Sequence, residues 1–116
     1  MNIDAFVKGF KALGQPTRLQ IIRLLAENDL CVCELTEVLQ TSQPRISQHL
    51  KVLKDAGIVQ ESIEGSMRIY HLQCNDLQNF LSGFSSFLRD DNIKDHNMAS
   101  IVKRLKELED GYRYNR

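Results

Sequence analysis

The amino-acid sequence predicts a mainly α-helical fold carrying one small β-hairpin, and three observations predict it. Apolar residues recur at helical spacing along most of the 116 residues. The only two prolines stand where helices begin. A single stretch, 58–72, trades the helical spacing for two short β-rich runs around Glu64-Gly65-Ser66. The length suits one compact domain, taken as 1–116. With 42% hydrophobic and 26% charged residues, the composition is that of a folded chain rather than a disordered or fibrous one.

Ile3, Phe6, Val7, Phe10 and Leu13 mark a first helix, stopped by Gly14. Pro16 opens the second, where its missing N–H costs nothing. Leu19, Ile21, Ile22, Leu24 and Leu25 make that helix apolar enough to expect burial on most sides, and Asn28-Asp29 ends it. Leu35, Val38 and Leu39 define a short third helix with Cys31-Val32-Cys33 in its first turn. Thr41-Ser42 caps a fourth, with Pro44 in its first turn, Ile46, Leu50 and Leu53 on one face, and Gly57 as the left-handed residue beyond its end. Strands over 58–63 and 67–72 form the hairpin. Leu77, Phe80, Leu81, Phe84, Phe87 and Leu88 mark a fifth helix; beyond Asp90-Asp91-Asn92, Met98, Ile101, Val102, Leu105 and Leu108 mark a sixth, and 111–116 reads as a frayed tail.

The formal net charge is zero, so its distribution carries more information than its sum. From Lys8 to Arg23 four basic residues and no acid occur, and from Val38 to Lys54 three basic residues and no acid. The N-terminus lacks the basic start and apolar core of a secretory signal, and no apolar run approaches the roughly 20 residues of a membrane span. The expected location is the cytoplasm, with no membrane partner. In that reducing compartment Cys31, Cys33 and Cys74 are expected to be thiols, and three is an odd number for disulfides.

A short helix, a turn, and a second helix rich in Ser, Gln, Arg, His and Lys is the arrangement in which the second helix enters the major groove. With Ile46, Leu50 and Leu53 facing inward, Ser42, Gln43, Arg45, Ser47, Gln48, His49 and Lys51 become the candidate DNA contacts. His49, beside a core leucine, suits a structural role at least as well. The hairpin supplies a wing, with Ser66, Arg68 and Tyr70 as its candidate contacts. The whole reads as a winged helix-turn-helix: the helix-turn-helix over about 31–56, the wing over about 58–72, and dimerisation helices over 3–13 and 75–110.

Three stretches resemble the ArsR/SmtB family of metal- and metalloid-responsive repressors: Ala12-Leu13-Gly14-Gln15-Pro16-Thr17-Arg18-Leu19, Ser42-Gln43-Pro44-Arg45-Ile46-Ser47-Gln48-His49-Leu50, and Gly57-Ile58-Val59 with the wing. The resemblance covers about half the chain. It implies a homodimer, paired mainly through its first and last helices, that binds an imperfect palindromic operator in double-stranded DNA and leaves it when an effector binds. The apolar surface of Phe80, Phe84, Phe87 and Leu88 suits such an interface. Asp29-Leu30-Cys31-Val32-Cys33-Glu34-Leu35 is similar to the metalloid-binding box of the arsenic and antimony repressors, except that Thr36 stands where the box has a third cysteine. The resemblance implies arsenite or antimonite as effector, held by Cys31 and Cys33, with Cys74 or an exogenous thiol to complete three-coordination and no constitutive cofactor.

Soft thiolates favour thiophilic ions. On a regular helix, residues two apart point roughly 200° from each other, so chelation by Cys31 and Cys33 is expected to unwind the start of the third helix and so weaken DNA contacts. Other readings remain at this point. Cys31 and Cys33 also suit the role of compact buried apolar residues. Thiol oxidation of Cys31, Cys33 or Cys74 is one alternative signal, and cadmium, lead or zinc another. A zinc site on the last helices is poorly supported, since Asp95 and His96 are adjacent and splayed. No Ser-His-Asp arrangement, phosphate loop or paired catalytic carboxylate is legible, so an enzyme is not expected.

Overall fold

The computed structural model describes residues 2–89 and 95–113. In chain order the elements are α1 (Ile3–Leu13), α2 (Pro16–Glu27), β1 (Leu30–Cys31), α3 (Val32–Leu39), α4 (Gln43–Asp55), β2 (Val59–Glu64), β3 (Met67–Leu72), α5 (Cys74–Phe87) and α6 (His96–Leu108), which runs on as a π-helical turn over Glu109–Arg113. Of the predicted frayed tail, 111–113 are helical, and 114–116 lie outside the described residues. Whether 90–94 breaks the last two helices lies outside the described residues.

Local chemistry sets the helix starts. Asn2 Oδ1 accepts from the Ala5 N–H at 2.9 Å, Gln15 Oε1 from Arg18 N–H at 3.0 Å, and Ser42 Oγ from Arg45 N–H at 3.4 Å. Pro16 and Pro44 sit in first turns, where no N–H is needed. The turn between α3 and α4 is tightened by Gln40, which takes the left-handed conformation at φ 53°. Gly57, at φ 77°, ends the α4 segment as expected.

The core lies where α2, α3 and α4 meet the sheet. Ile21, Leu35, Ile46, Leu50 and Leu53 are fully buried, joined by Leu25, Ile58, Val59 and Tyr70. Each such aliphatic side chain contributes about 1.5–3 kcal/mol by leaving water. The α4 triplet at Ile46, Leu50 and Leu53 thus pins one face of the helix and leaves the opposite face outward.

Two expectations are corrected. The second helix is buried along one face only: Ile21 and Leu25 are covered, whereas Leu19 is 53% exposed. A single layer of helix and sheet lies against α2, so its other faces remain in solvent. The hairpin is also part of a three-stranded antiparallel sheet ordered β1-β3-β2. Cys31 belongs to β1 and faces Ile69 across the ladder, so it precedes α3 rather than lying in its first turn. The β2–β3 register runs from Val59 opposite Leu72 to Glu64 opposite Met67, closing on a two-residue turn whose Gly65 has φ 63°.

Candidate functional site

The outward face of α4 presents Gln43, Arg45, Gln48 and Lys51 exposed, with Ser47 and His49 half-buried and Ser42 exposed at the cap. Lys51 pairs with Asp55 at 3.2 Å and Gln43 donates to Ser47 Oγ at 3.4 Å, both in solvent. A polar cleft of about 440 Å³ runs between the starts of α2 and α4, and Gln15, Thr17 and Thr41 line it together with Arg45, Gln48 and His49. Gln15 and Thr17 escaped the sequence reading because they belong to the start of α2, and Thr41 was read there only as part of the α4 cap. The signal available was the pair of Pro-headed helices, whose free N–H groups favour an anion.

His49 is tied to α2. Arg18 Nε donates to His49 Nδ1 at 3.2 Å, while Arg18 Nη1 donates to the Lys11 and Ala12 carbonyls at 2.9 and 3.4 Å. Burial, with the charges of Arg18 and Arg45, holds the imidazole pKa below its ordinary value. A neutral His49 therefore accepts at Nδ1 and locks the α2–α4 angle, leaving Nε2 as its remaining polar atom.

On the wing, Ser66 and Arg68 are exposed. Arg68 Nη1 donates to both Glu61 oxygens at 3.3 and 3.2 Å, and Lys54 Nζ reaches Glu61 Oε1 at 3.4 Å. Tyr70 is not a DNA contact: it is 7% exposed and its hydroxyl donates to Glu61 Oε2 at 2.6 Å. Strand alternation turns it inward, to the side on which Lys54 of α4 reaches Glu61. Burial, then the Glu61 carboxylate, pushes Tyr70 up to about 12. Glu61 in turn is held below the usual carboxylate range by Tyr70 first, with Arg68 and Lys54 assisting.

A Ser-His-Asp chain does exist, contrary to the sequence reading. His71 Nδ1 lies 2.9 Å from Asp29 Oδ2, and His71 Nε2 lies 2.6 Å from Ser62 Oγ. The three residues lie 42 positions apart at the extremes and meet only because β1 and β2 flank β3.

The thiols sit where β1 meets α3. Cys31 is the residue before α3, in extended backbone at φ −87° and ψ 167°, and is 3% exposed; Cys33 is exposed. The Cys31 N–H donates to Glu34 Oε1 at 3.0 Å, a capping-box contact that holds the Glu34 carboxyl below its ordinary value. Burial first, then a hydrogen bond with the Cys33 thiol, pushes the Cys31 thiol up. The Cys33 thiol thus influences the ionisation of Cys31. Cys31 has strand rather than helix geometry, so the 200° splay expected of two helical residues does not apply to it and Cys33.

The remaining expected ligands are elsewhere. Thr36 Oγ1 donates to the Val32 carbonyl of its own helix at 2.8 Å. Cys74 opens α5, exposed, five residues beyond the Ile69 partner of Cys31. Among the described residues no three His, Cys, Asp or Glu side chains are grouped to hold a metal ion. Asp95 caps α6, accepting from Asn97 and Met98 N–H at 3.0 and 3.2 Å.

Away from the DNA face, α1 and α5 interlock through phenylalanines: Phe6 packs on Phe80, Phe84 and Phe87 with ring centroids 5.1–5.9 Å apart, and Phe10 on Phe80 and Phe84 at 5.0 and 4.8 Å. An apolar groove of about 600 Å³ opens beside them. Ile101, Leu105 and Leu108 of α6 are 44–46% exposed.

A helical core, a second helix of the turn motif with its polar face outward, and a hairpin behind it define a winged helix-turn-helix DNA-binding regulator. The chain belongs to the arsR family of bacterial regulatory proteins, whose model matches residues 15–61, and is a transcriptional repressor of that family. It is 52% identical over 64 residues to an HTH-type transcriptional regulator of Methanocaldococcus jannaschii, covering 54% of this chain and 72% of that one. It is 47% identical over 64 residues to the arsenic resistance transcriptional regulator ArsR1 of Pseudomonas putida, covering 54% of this chain and half of that protein. With the arsenical resistance operon repressor of Bacillus subtilis it shares 36% over 74 residues, 63% of this chain and 70% of the relative. Among solved structures it resembles a possible transcriptional regulator for arsenical resistance (TM-score 0.63, 28% identity, 82% of this chain and 95% of the other). It also resembles a homodimeric winged helix-turn-helix DNA-binding domain from Mycobacterium bovis (TM-score 0.63, 25% identity, 81% and 90%). These relatives are regulators rather than enzymes.

Proposed function

We propose that the chain, acting as one winged helix-turn-helix domain over 1–116, is a homodimeric repressor that leaves its operator when trivalent arsenic or antimony is captured by Cys31 and Cys33. The observation that carries this reading is the placement of both thiols, two residues apart, where β1 passes into α3, the helix packed directly against the DNA-reading helix α4. Two soft sulfurs at one helix start suit a thiophilic ion. An exogenous thiol or a hydroxide fills the third position that Thr36 does not supply. The ion would draw the Cys31 sulfur away from its seat at the head of α3.

DNA is held by Ser42, Gln43, Arg45, Ser47, Gln48, His49 and Lys51 on α4 and by Ser66 and Arg68 on the wing, with Gln15, Thr17 and Thr41 adding phosphate contacts in the cleft. The phenylalanine face of α1 and α5 and the apolar stripe of α6 form the dimer contact, as the homodimeric M. bovis relative suggests. The protein acts in the cytoplasm and has no catalytic role.

Fluorescence anisotropy on the duplex upstream of its own gene tests this. Arsenite or antimonite should release the reduced parent and leave a Cys31→Ser/Cys33→Ser variant bound. Release by cadmium, lead or zinc alone would replace the effector. Release by peroxide, with a Cys31–Cys33 disulfide seen by mass, would favour thiol oxidation. No duplex binding at all would overturn the reading.

A further inference from the structure

We propose that the Asp29–His71–Ser62 chain is the mechanical link through which the Cys31–Cys33 site and the wing act on each other, with His71 as its positioning residue. The inference rests on the proposed reading of the cysteines as an effector site and adds the route by which occupancy reaches DNA.

Cys31 is paired with Ile69, and Ile69 is the chain neighbour of Arg68, the wing cation. The shortest path from the thiols to the DNA-facing wing therefore runs sideways through one ladder rung, not along α3. Cys31 is almost fully enclosed, so an ion on its sulfur needs space that the packed junction does not offer, and the two-residue β1 is the element that yields. Strand β1 has only two residues, Leu30 and Cys31. A ladder that short holds weakly by itself. Left to its own hydrogen bonds, β1 would peel away and β3 would stay in place.

The side-chain chain changes that outcome. Asp29 immediately precedes β1, and its carboxylate meets His71 of β3 at 2.9 Å; the other imidazole nitrogen meets Ser62 of β2 at 2.6 Å. Register explains the alignment. Leu30 faces Tyr70, which sets Asp29 beside His71, and Gln60 faces His71, which sets Ser62 diagonally on the same sheet face. All three strands are stitched along one line, so displacement of β1 carries β3 and β2 with it. By thermodynamic reciprocity, DNA that grips the wing must then stiffen the seat of Cys31.

That reciprocity gives a test independent of arsenic. In a Cys74→Ser background, the rate of maleimide addition to Cys31 is read by peptide fragmentation, with and without saturating duplex. Duplex should slow the reaction about tenfold in the parent, within the ordinary range of site-to-site coupling. In His71→Ala, which should still bind duplex, the slowing should fall to under about twofold, and His71→Gln, whose amide keeps polar atoms at both ends, should restore most of it. Should His71→Ala fail to fold, Asp29→Ala cuts the same link from the other side and must give the same loss. Equal slowing in the parent and in the cut variants, or slowing in none, overturns the link. Protection that depends on His71 in a protein that arsenite cannot release would sink the metalloid reading and leave the link standing.

Discussion

Gly9 of α1 lies directly under the ring of Phe80 of α5: a Cβ on Gly9 would stand 2.3 Å from Phe80 Cε1 and 2.4 Å from Cζ. The absent side chain is what lets the two helices close over the phenylalanine cluster. Gly9→Ala gains about 0.5–1 kcal/mol of helix propensity but forces the ring into Phe6 and Phe10, an overpacking cost of about 1–3 kcal/mol. A net loss of stability is expected in urea unfolding. Sedimentation should show a weaker dimer as well.

Gln40 carries the left-handed turn between α3 and α4 with a side chain that dislikes it. Replacement by glycine removes a strain of about 1–2 kcal/mol, partly offset by the greater freedom of the unfolded chain. Gln40→Gly should raise the urea midpoint slightly and leave duplex affinity unchanged.

Tyr70 gives the fold an alkaline limit. Its folded pKa, about 12, stands above the unfolded value near 10. The protonated phenol is therefore worth its full stabilisation below pH about 10, which is lost as pH rises toward 12. Thermal melts between those values should show a steep decline in the parent and a shallower one in Tyr70→Phe. That variant should also be less stable at neutral pH by about 1 kcal/mol, because Glu61 loses its shortest hydrogen bond.

His49 acts at the acid side. With its folded pKa depressed by burial and by Arg18 and Arg45, the unfolded chain takes up its proton first as pH falls below about 6.5. Stability from the Arg18–His49 contact is thus complete above that value and lost as pH falls through the lower folded pKa. His49→Gln should flatten the pH dependence of unfolding below about pH 6.5, and an NMR titration should place the His49 midpoint below that of an unperturbed histidine.

Arg45 is exposed on the outward face of α4 and lines the cleft to α2. Arg45→Ala should weaken duplex binding, and a loss uniform across sequences with a salt slope reduced by about one would mark a phosphate contact. A loss confined to one base position would mark a base contact instead. Arg23→Ala, which breaks only an exposed pair with Glu27, should change neither.

Along the chain, local pattern carried most of the architecture. The order of helices and hairpin, the inward triplet Ile46, Leu50 and Leu53, the polar outer face of α4, the proline and serine starts and the role of Gly57 all follow from periodicity and from residues with special backbone demands, which act within a few positions. What the sequence could not determine depends on strand pairing. β1 is two residues long, too short for any period, and only its docking on β3 turns Cys31 into a buried strand residue rather than one side of a helix. The same docking brings Asp29, His71 and Ser62 into one line from distant positions, and the β2–β3 register sets Tyr70 opposite Glu61, with Arg68 on the same face reaching Glu61 from the exposed end of the wing. Tertiary structure decided these because hydrogen bonds between strands, unlike those within helices, join residues whose separation in sequence carries no signal.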